Sequence, residues 1–238
     1  MYKDKSIVAV IPARGGSKGI QNKNIIPLLG RPLLYYMTTA AKDSGVIDDV
    51  YVSTDSSKIK DVCLLYGLKV IDRPVELAQD DTPSEPVVAH ALRQVNREYD
   101  YVALLEVTSP LVEAQDILKA VKLLIDSDVD LVISVVESKT VWVGPLGPDD
   151  SLKDFYPAQY RRKPRQALPR TYFIGGGIHI GKWDIFYNEM DFFDPSINSK
   201  AYILDDLAYV DINYGQDLLE AERRLRQREW ARNFLKGS

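Results

Sequence analysis

The stretch Ile7-Val8-Ala9-Val10-Ile11-Pro12-Ala13-Arg14-Gly15-Gly16-Ser17-Lys18-Gly19 decides how this chain is read. Its first five residues are an unbroken apolar run, the pattern of a strand buried on both faces. A loop rich in glycine and positive charge follows. Outward from there, apolar strands alternate with amphipathic helices. Residues 32–42 read as helix, 50–53 as strand, 57–66 as a helix stopped by Gly67, and 69–72 as strand. Then come a helix over 84–98 with Ser84 placed to cap it, a strand over 101–106, a helix over 114–126 and a strand over 131–136. Such alternation predicts right-handed βαβ units, an α/β fold and a mostly parallel sheet covered on both faces. Ligands of such sheets bind beyond the carboxyl ends of the strands, so the residues just after each strand are the ones to inspect.

The rhythm breaks after Val136. Residues 142–169 hold five prolines and little periodicity, which predicts a small projecting arm at about 140–172. A strand is expected over 178–180, after Gly175, Gly176 and Gly177, and another over 208–212. A long charged helix closes the chain from about 216 to 234, with Leu218, Ala221 and Leu225 on its inner stripe. With no dividing linker, residues 1–238 read as one domain.

Composition narrows the function. The chain has 238 residues, 45% of them hydrophobic, ample for one core. A net charge of −4 argues against a general affinity for nucleic acid or an anionic membrane. Cys63 is the one cysteine, which suits a cytoplasmic protein, and His90 and His179 are too few for a multi-histidine metal site. No apolar run approaches the ~20 residues of a membrane span, and the N-terminus lacks the pattern of a secretory signal.

Charge placement is the sharpest signal. Residues 5–42 contain Lys5, Arg14, Lys18, Lys23, Arg31 and Lys42 and no Asp or Glu. A basic loop that needs glycine only for its turn would have that composition. Its place after the first strand of an α/β sheet favours polyphosphate binding instead, with backbone N–H groups, Arg and Lys meeting phosphate oxygens. The spacing of Gly15, Gly16 and Gly19 fits neither a Walker A loop nor the dinucleotide fingerprint. A second basic cluster, Arg161, Arg162, Lys163, Arg165 and Arg170, lies in a run without acids between Asp154 and Asp184. It reads as a substrate contact, a nucleic-acid patch or a solvated arm; the acidic total and the lack of an RNA-binding motif weaken the second.

Residues 11–20 with Lys23 and Asn24 resemble the opening signature of the acylneuraminate cytidylyltransferases, the CMP-sialic acid synthetases. The resemblance continues through Val52-Ser53-Thr54-Asp55, Arg73-Pro74, Thr108-Ser109-Pro110-Leu111, Pro164-Arg165-Gln166 and Asp211-Ile212-Asn213. It implies a Rossmann-like nucleotidyltransferase fold, CTP as donor, Mg²⁺ as cofactor, a nonulosonic acid as acceptor, and a homodimer. By the same resemblance Ala13, Arg14, Gly15, Ser17, Lys18, Lys23, Asn24 and Arg73 bind the nucleotide. Arg14, Lys18, Lys23 and Asp211 serve catalysis, Glu106, Arg165 and Gln166 contact the sugar, and Asp211 and Asn213 hold the metal. Arg73 also reads as a salt-bridge partner of a nearby carboxylate, and Asp211 as a surface or capping carboxylate. The chain departs from the pattern at Asn213, where relatives usually carry Asp, at Glu106 for Gln, and at Val112 for Arg. Glu106 and Val112 suggest a modified acceptor such as a di-N-acylated deoxy nonulosonic acid, while Asn213 offers the metal a neutral oxygen in place of a charged one. The rivals are a nucleotidyltransferase using UTP or 3-deoxy-octulosonate, and a non-catalytic nucleotide-binding homologue.

Overall fold

A computed structural model describes residues 2–138 and 163–236. Its core is a seven-stranded sheet in the order β5-β4-β1-β6-β8-β7-β9. The strands are β1 Ile7–Pro12, β4 Asp49–Thr54, β5 Lys69–Asp72, β6 Tyr101–Leu105, β7 Leu131–Glu137, β8 Tyr172–Lys182 and β9 Ser199–Leu204. A short ribbon, β2 Pro27–Leu28 with β3 Arg31–Pro32, stands apart. Only β8 runs against the others, antiparallel to both β6 and β7. The sheet is therefore mostly parallel, as expected.

Helices cover both faces: α1 Leu33–Asp43, α2 Ser57–Leu65, α3 Ser84–Arg93, α4 Ala114–Ser127, α5 Trp183–Tyr187 and α6 Gly215–Lys236. The apolar run of β1 explains the layering. Ile7, Ala9 and Ile11 pack into one cluster with residues of α1, α2 and α4, while Val8 and Val10 join the opposite cluster with α3 and α5. A period of two with both faces buried leaves no position for a polar residue. β1 continues through α1 to β4 on one side, and β6 flanks it on the other. That makes the carboxyl end of β1 a switch point, where a crevice opens.

Several sequence expectations are corrected. The third helix ends at Arg93, and beyond it Tyr99 stacks on Trp183, ring centroids 6.2 Å apart. Pro83 occupies its N-cap, and no side chain caps it, Ser84 included. β8 is much longer than 178–180 and runs through all three glycines, with the β7–β8 register slipping between Ile133 and Val135. Gly177 takes φ +58° there, and a Cβ on it would sit 2.6 Å from that of Glu106. Glycine thus lets β8 lie against the end of β6.

No strand forms over 208–212. A 3-10 turn, Asp206–Ala208, leads into a segment that alternates buried and half-buried residues without a ladder partner. Its one bond of that kind runs from the Ile212 N–H to the Thr108 carbonyl, 2.9 Å. The edge strand is instead Ser199–Leu204, which is mostly exposed and so carries little apolar signal. The expected arm falls mainly on 139–162, outside the described residues. Its roots are fixed: Glu137 pairs with Tyr172, and the Ser138 N–H donates to the Thr171 carbonyl at 2.8 Å.

Candidate active site

An open cleft of about 790 Å³ lies at the carboxyl edge of the sheet, over the switch point. The loop after β1 enters it with Arg14, Ser17, Lys18, Gly19, Lys23 and Asn24. Asn22 takes a left-handed conformation, φ 54°, and starts the 3-10 turn Lys23–Ile25 that presents Lys23 and Asn24. Asn24 is buried, and its Nδ2 donates to the Arg14 carbonyl at 2.9 Å, tying the two ends of the loop. Ala13 and Gly15 are not in the lining. The Ala13 side chain is in the core and its N–H donates to the Ser53 carbonyl at 2.9 Å. The Gly15 N–H donates to Asp55 Oδ1 at 2.8 Å. Both residues shape the loop, with their amides already committed.

Arg73, just past β5, is 7% exposed. Its guanidinium donates to Ser53 Oγ at 3.1 Å and to the Ser53 carbonyl at 2.6 Å. Among the described residues no carboxylate pairs with it, so the salt-bridge reading is set aside. Burial lowers its pKa to about 10, which leaves it charged at neutral pH. Its hydrogen bonds go to neutral groups, with the Asp55 charge acting on it from nearby, and a buried cation at a cleft wall attracts an anion.

Arg14 and Lys18 are not free. Arg14 Nη1 and Lys18 Nζ each lie 2.6 Å from one oxygen of Asp80, from the loop before α3. The hydrogen bonds to Lys18 and Arg14 hold the Asp80 carboxyl below its ordinary pKa. The sequence reading missed Asp80, because the acid-free run concealed an acid brought in by another element. Its place after β5, at the same sheet edge, was the available signal.

Glu106 follows β6 and lines the cleft, its N–H bonded to the Gly177 carbonyl at 3.0 Å. Burial, then the nearby Asp211 charge, raises its pKa, while Lys23 opposes the shift. Asp211, Asn213 and Tyr214 also line the cleft. Lys23 Nζ donates to the Ile212 carbonyl at 2.7 Å and to Asn213 Oδ1 at 3.2 Å. Asn213 Nδ2 in turn donates to Asp211 Oδ2 at 2.7 Å. Gly19 packs against this segment, and a Cβ there would collide with the Asn213 carbonyl oxygen. Burial lowers the Lys23 pKa, with the Arg14 charge adding to it and Asp211 opposing.

Other expected contacts lie elsewhere. Val112 is buried in the core rather than in the cleft. Gln166 is exposed and outside the lining, and Arg165 has its backbone in the 3-10 turn Arg165–Ala167, its side chain lying outside the described residues. His179 is buried against Phe192, and desolvation lowers its pKa to about 4. Neither histidine lines the cleft. Among the described residues no group of three or more His, Cys, Asp or Glu is arranged to hold a metal. No helix there is long and apolar enough to cross a membrane.

The family model described as cytidylyltransferase matches residues 8–145. The N-acylneuraminate cytidylyltransferase of Escherichia coli is 35% identical over 89% of this chain and 50% of its own length. The pseudaminic acid cytidylyltransferase of Campylobacter jejuni is 31% identical, covering 89% of this chain and 92% of that protein. The chain thus spans about half the length of the Escherichia coli protein and nearly all of the Campylobacter one. A solved CMP:2-keto-3-deoxy-manno-octonic acid synthetase complexed with CTP superposes with a TM-score of 0.71 over 94% of this chain and 99% of the other, at 16% identity. That likeness is one of fold.

Proposed function

The chain belongs to the cytidylyltransferase family, and on that premise we propose that it transfers CMP from CTP to a sialic-acid-type nonulosonic acid. One observation carries the reading: Arg14, Lys18, Lys23 and Arg73 converge on one cleft, with Asp211 joined to Lys23 through Asn213. CTP brings about four negative charges, and positioned cations stabilise the charge that grows on departing pyrophosphate. The anomeric hydroxyl oxygen bonds to the α-phosphorus as the bond to the bridging oxygen of the β-phosphate breaks. The hydroxyl proton passes to water, and pyrophosphate leaves with the electron pair. Arg14 and Lys18 take the triphosphate in place of Asp80. Lys23, already desolvated, faces the breaking bond, and Arg73 adds a fixed charge at the cleft wall.

Asp211 is the candidate protein ligand for Mg²⁺. One carboxylate suits this ion, which keeps water and takes substrate phosphates as its other ligands. When bound, the ion would neutralise phosphate charge and lower the barrier to attack. Asp211 itself orients toward the phosphates and balances Lys23.

For the acceptor we favour a substituted nonulosonic acid over N-acetylneuraminate. The support is Glu106 on the cleft wall, an acceptor of N–H donors when ionised, together with the nearly full-length likeness to the pseudaminic acid enzyme. Buried polar groups discriminate against substrates that leave them unpaired. The test compares kcat/KM for pseudaminic acid, N-acetylneuraminate and 3-deoxy-manno-octulosonate at saturating CTP and Mg²⁺. Pseudaminic acid should lead by tenfold or more, and Glu106→Gln should narrow that lead. Equal or better use of N-acetylneuraminate would refute the acceptor assignment.

A further inference from the structure

The Asn213 side chain sits between a cation and an anion, and that placement fixes how its amide is oriented. A lysine ammonium can only donate, so Lys23 must meet the amide oxygen; an aspartate carboxylate accepts, so Asp211 must meet the amide nitrogen. The observed contacts are of that kind, 3.2 Å from Lys23 Nζ to Oδ1 and 2.7 Å from Nδ2 to Asp211 Oδ2. The backbone is held as firmly. Asp217 Oδ2 accepts from the Asn213 and Tyr214 N–H groups at 2.9 and 2.7 Å. Lys23 also bonds the Ile212 carbonyl at 2.7 Å, and Gly19 closes against the Asn213 carbonyl.

We propose that Asn213 is a positioning residue, its one amide coupling the Lys23 ammonium to the Asp211 carboxylate, and that it is not itself a ligand of the metal. The inference rests on the cytidylyl-transfer reading above. An ion coordinated by Asn213 Oδ1 would stand beside the Lys23 ammonium, which already points at that oxygen, and like charges at such distance repel. A carboxylate at 213 would have no hydrogen to give Asp211 and would bring two like charges together. The amide satisfies both neighbours at once. Asp211 is thereby aimed at an ion that arrives with the nucleotide. Asn213 is exposed, so replacing it leaves the core intact.

Mn²⁺ binding measured by electron paramagnetic resonance tests this without turnover. The titrations use protein saturated with the α,β-methylene analogue of CTP and cover the parent chain, Asn213→Ala, Lys23→Met and the double variant. If Asn213 acts through Lys23, the alanine change weakens Mn²⁺ binding severalfold in the parent and much less in the Lys23→Met background. An equal loss in both backgrounds would overturn the proposal and make Asn213 a ligand; no loss in the parent would overturn it by leaving Asn213 without a part in metal binding. A separate arm titrates the analogue alone. Absence of analogue binding to the parent chain would count against the cytidylyl-transfer reading, and not against the coupling itself.

Discussion

Asp80 is bound to both Arg14 and Lys18, the cations proposed to take the triphosphate. The ligand and this carboxylate compete for the same cations, so the two neighbouring substitutions should act in opposite directions. Asp80→Asn removes the competitor and should lower the KM for CTP severalfold. Arg14→Ala removes a charge-assisted contact of about 2 kcal/mol and should cut kcat/KM for CTP by roughly 30-fold. Steady-state kinetics with CTP varied at fixed acceptor checks both. If Asp80→Asn instead raised the KM, Asp80 would be holding the two cations in place for CTP and not standing in its way.

At the scale of elements, β8 carries a glycine run and a buried histidine side by side. His179 has an unpartnered Nδ1 and a pKa lowered from 6.5 to about 4 by burial. A depressed histidine contributes stability that is full above the unfolded value of 6.5 and is lost as pH falls toward 4. The loss should be on the order of 3 kcal/mol by pH 4. His179→Leu should therefore flatten the dependence of the urea midpoint on pH between 7 and 4.5. A parent-like slope in that variant would place the acid sensitivity elsewhere. The same strand shows why some elements were legible and others were not. β1 and β6 are almost wholly buried apolar runs, and β4 alternates half-buried with buried positions over its first half, so hydrophobic pattern finds them. β9 is an exposed edge, and 208–212 alternates like a strand only because it packs beneath α6. Two arginines of α6 hold that segment: Arg224 bonds the Asp206 and Tyr209 carbonyls at 2.9 and 3.0 Å, and Arg228 the Leu207 and Leu111 carbonyls at 2.7 and 2.6 Å. Long-range side-chain bonds of this kind leave no local periodicity to read.

Across the whole molecule, a chain of net charge −4 gathers Arg14, Lys18, Lys23 and Arg73 at one sheet edge. The loop after β1 announced its cations in the sequence, because they are contiguous and free of acids. Asp80 and Asn213 meet that loop only through folding, from two separate stretches, so the pairing of Asp80 with Arg14 and Lys18 and of Asn213 with Lys23 appears in three dimensions alone. The family and the fold now stand on independent likenesses, while the reaction is the central claim. It is tested most directly by pyrophosphate release from CTP with a nonulosonic acid and Mg²⁺, with the nucleotide product identified by mass. The account predicts release that requires the acceptor, matches CMP-sugar formed one to one, and drops at least tenfold with UTP. Binding of CTP without acceptor-dependent pyrophosphate release, across the acceptors named above, would contradict it.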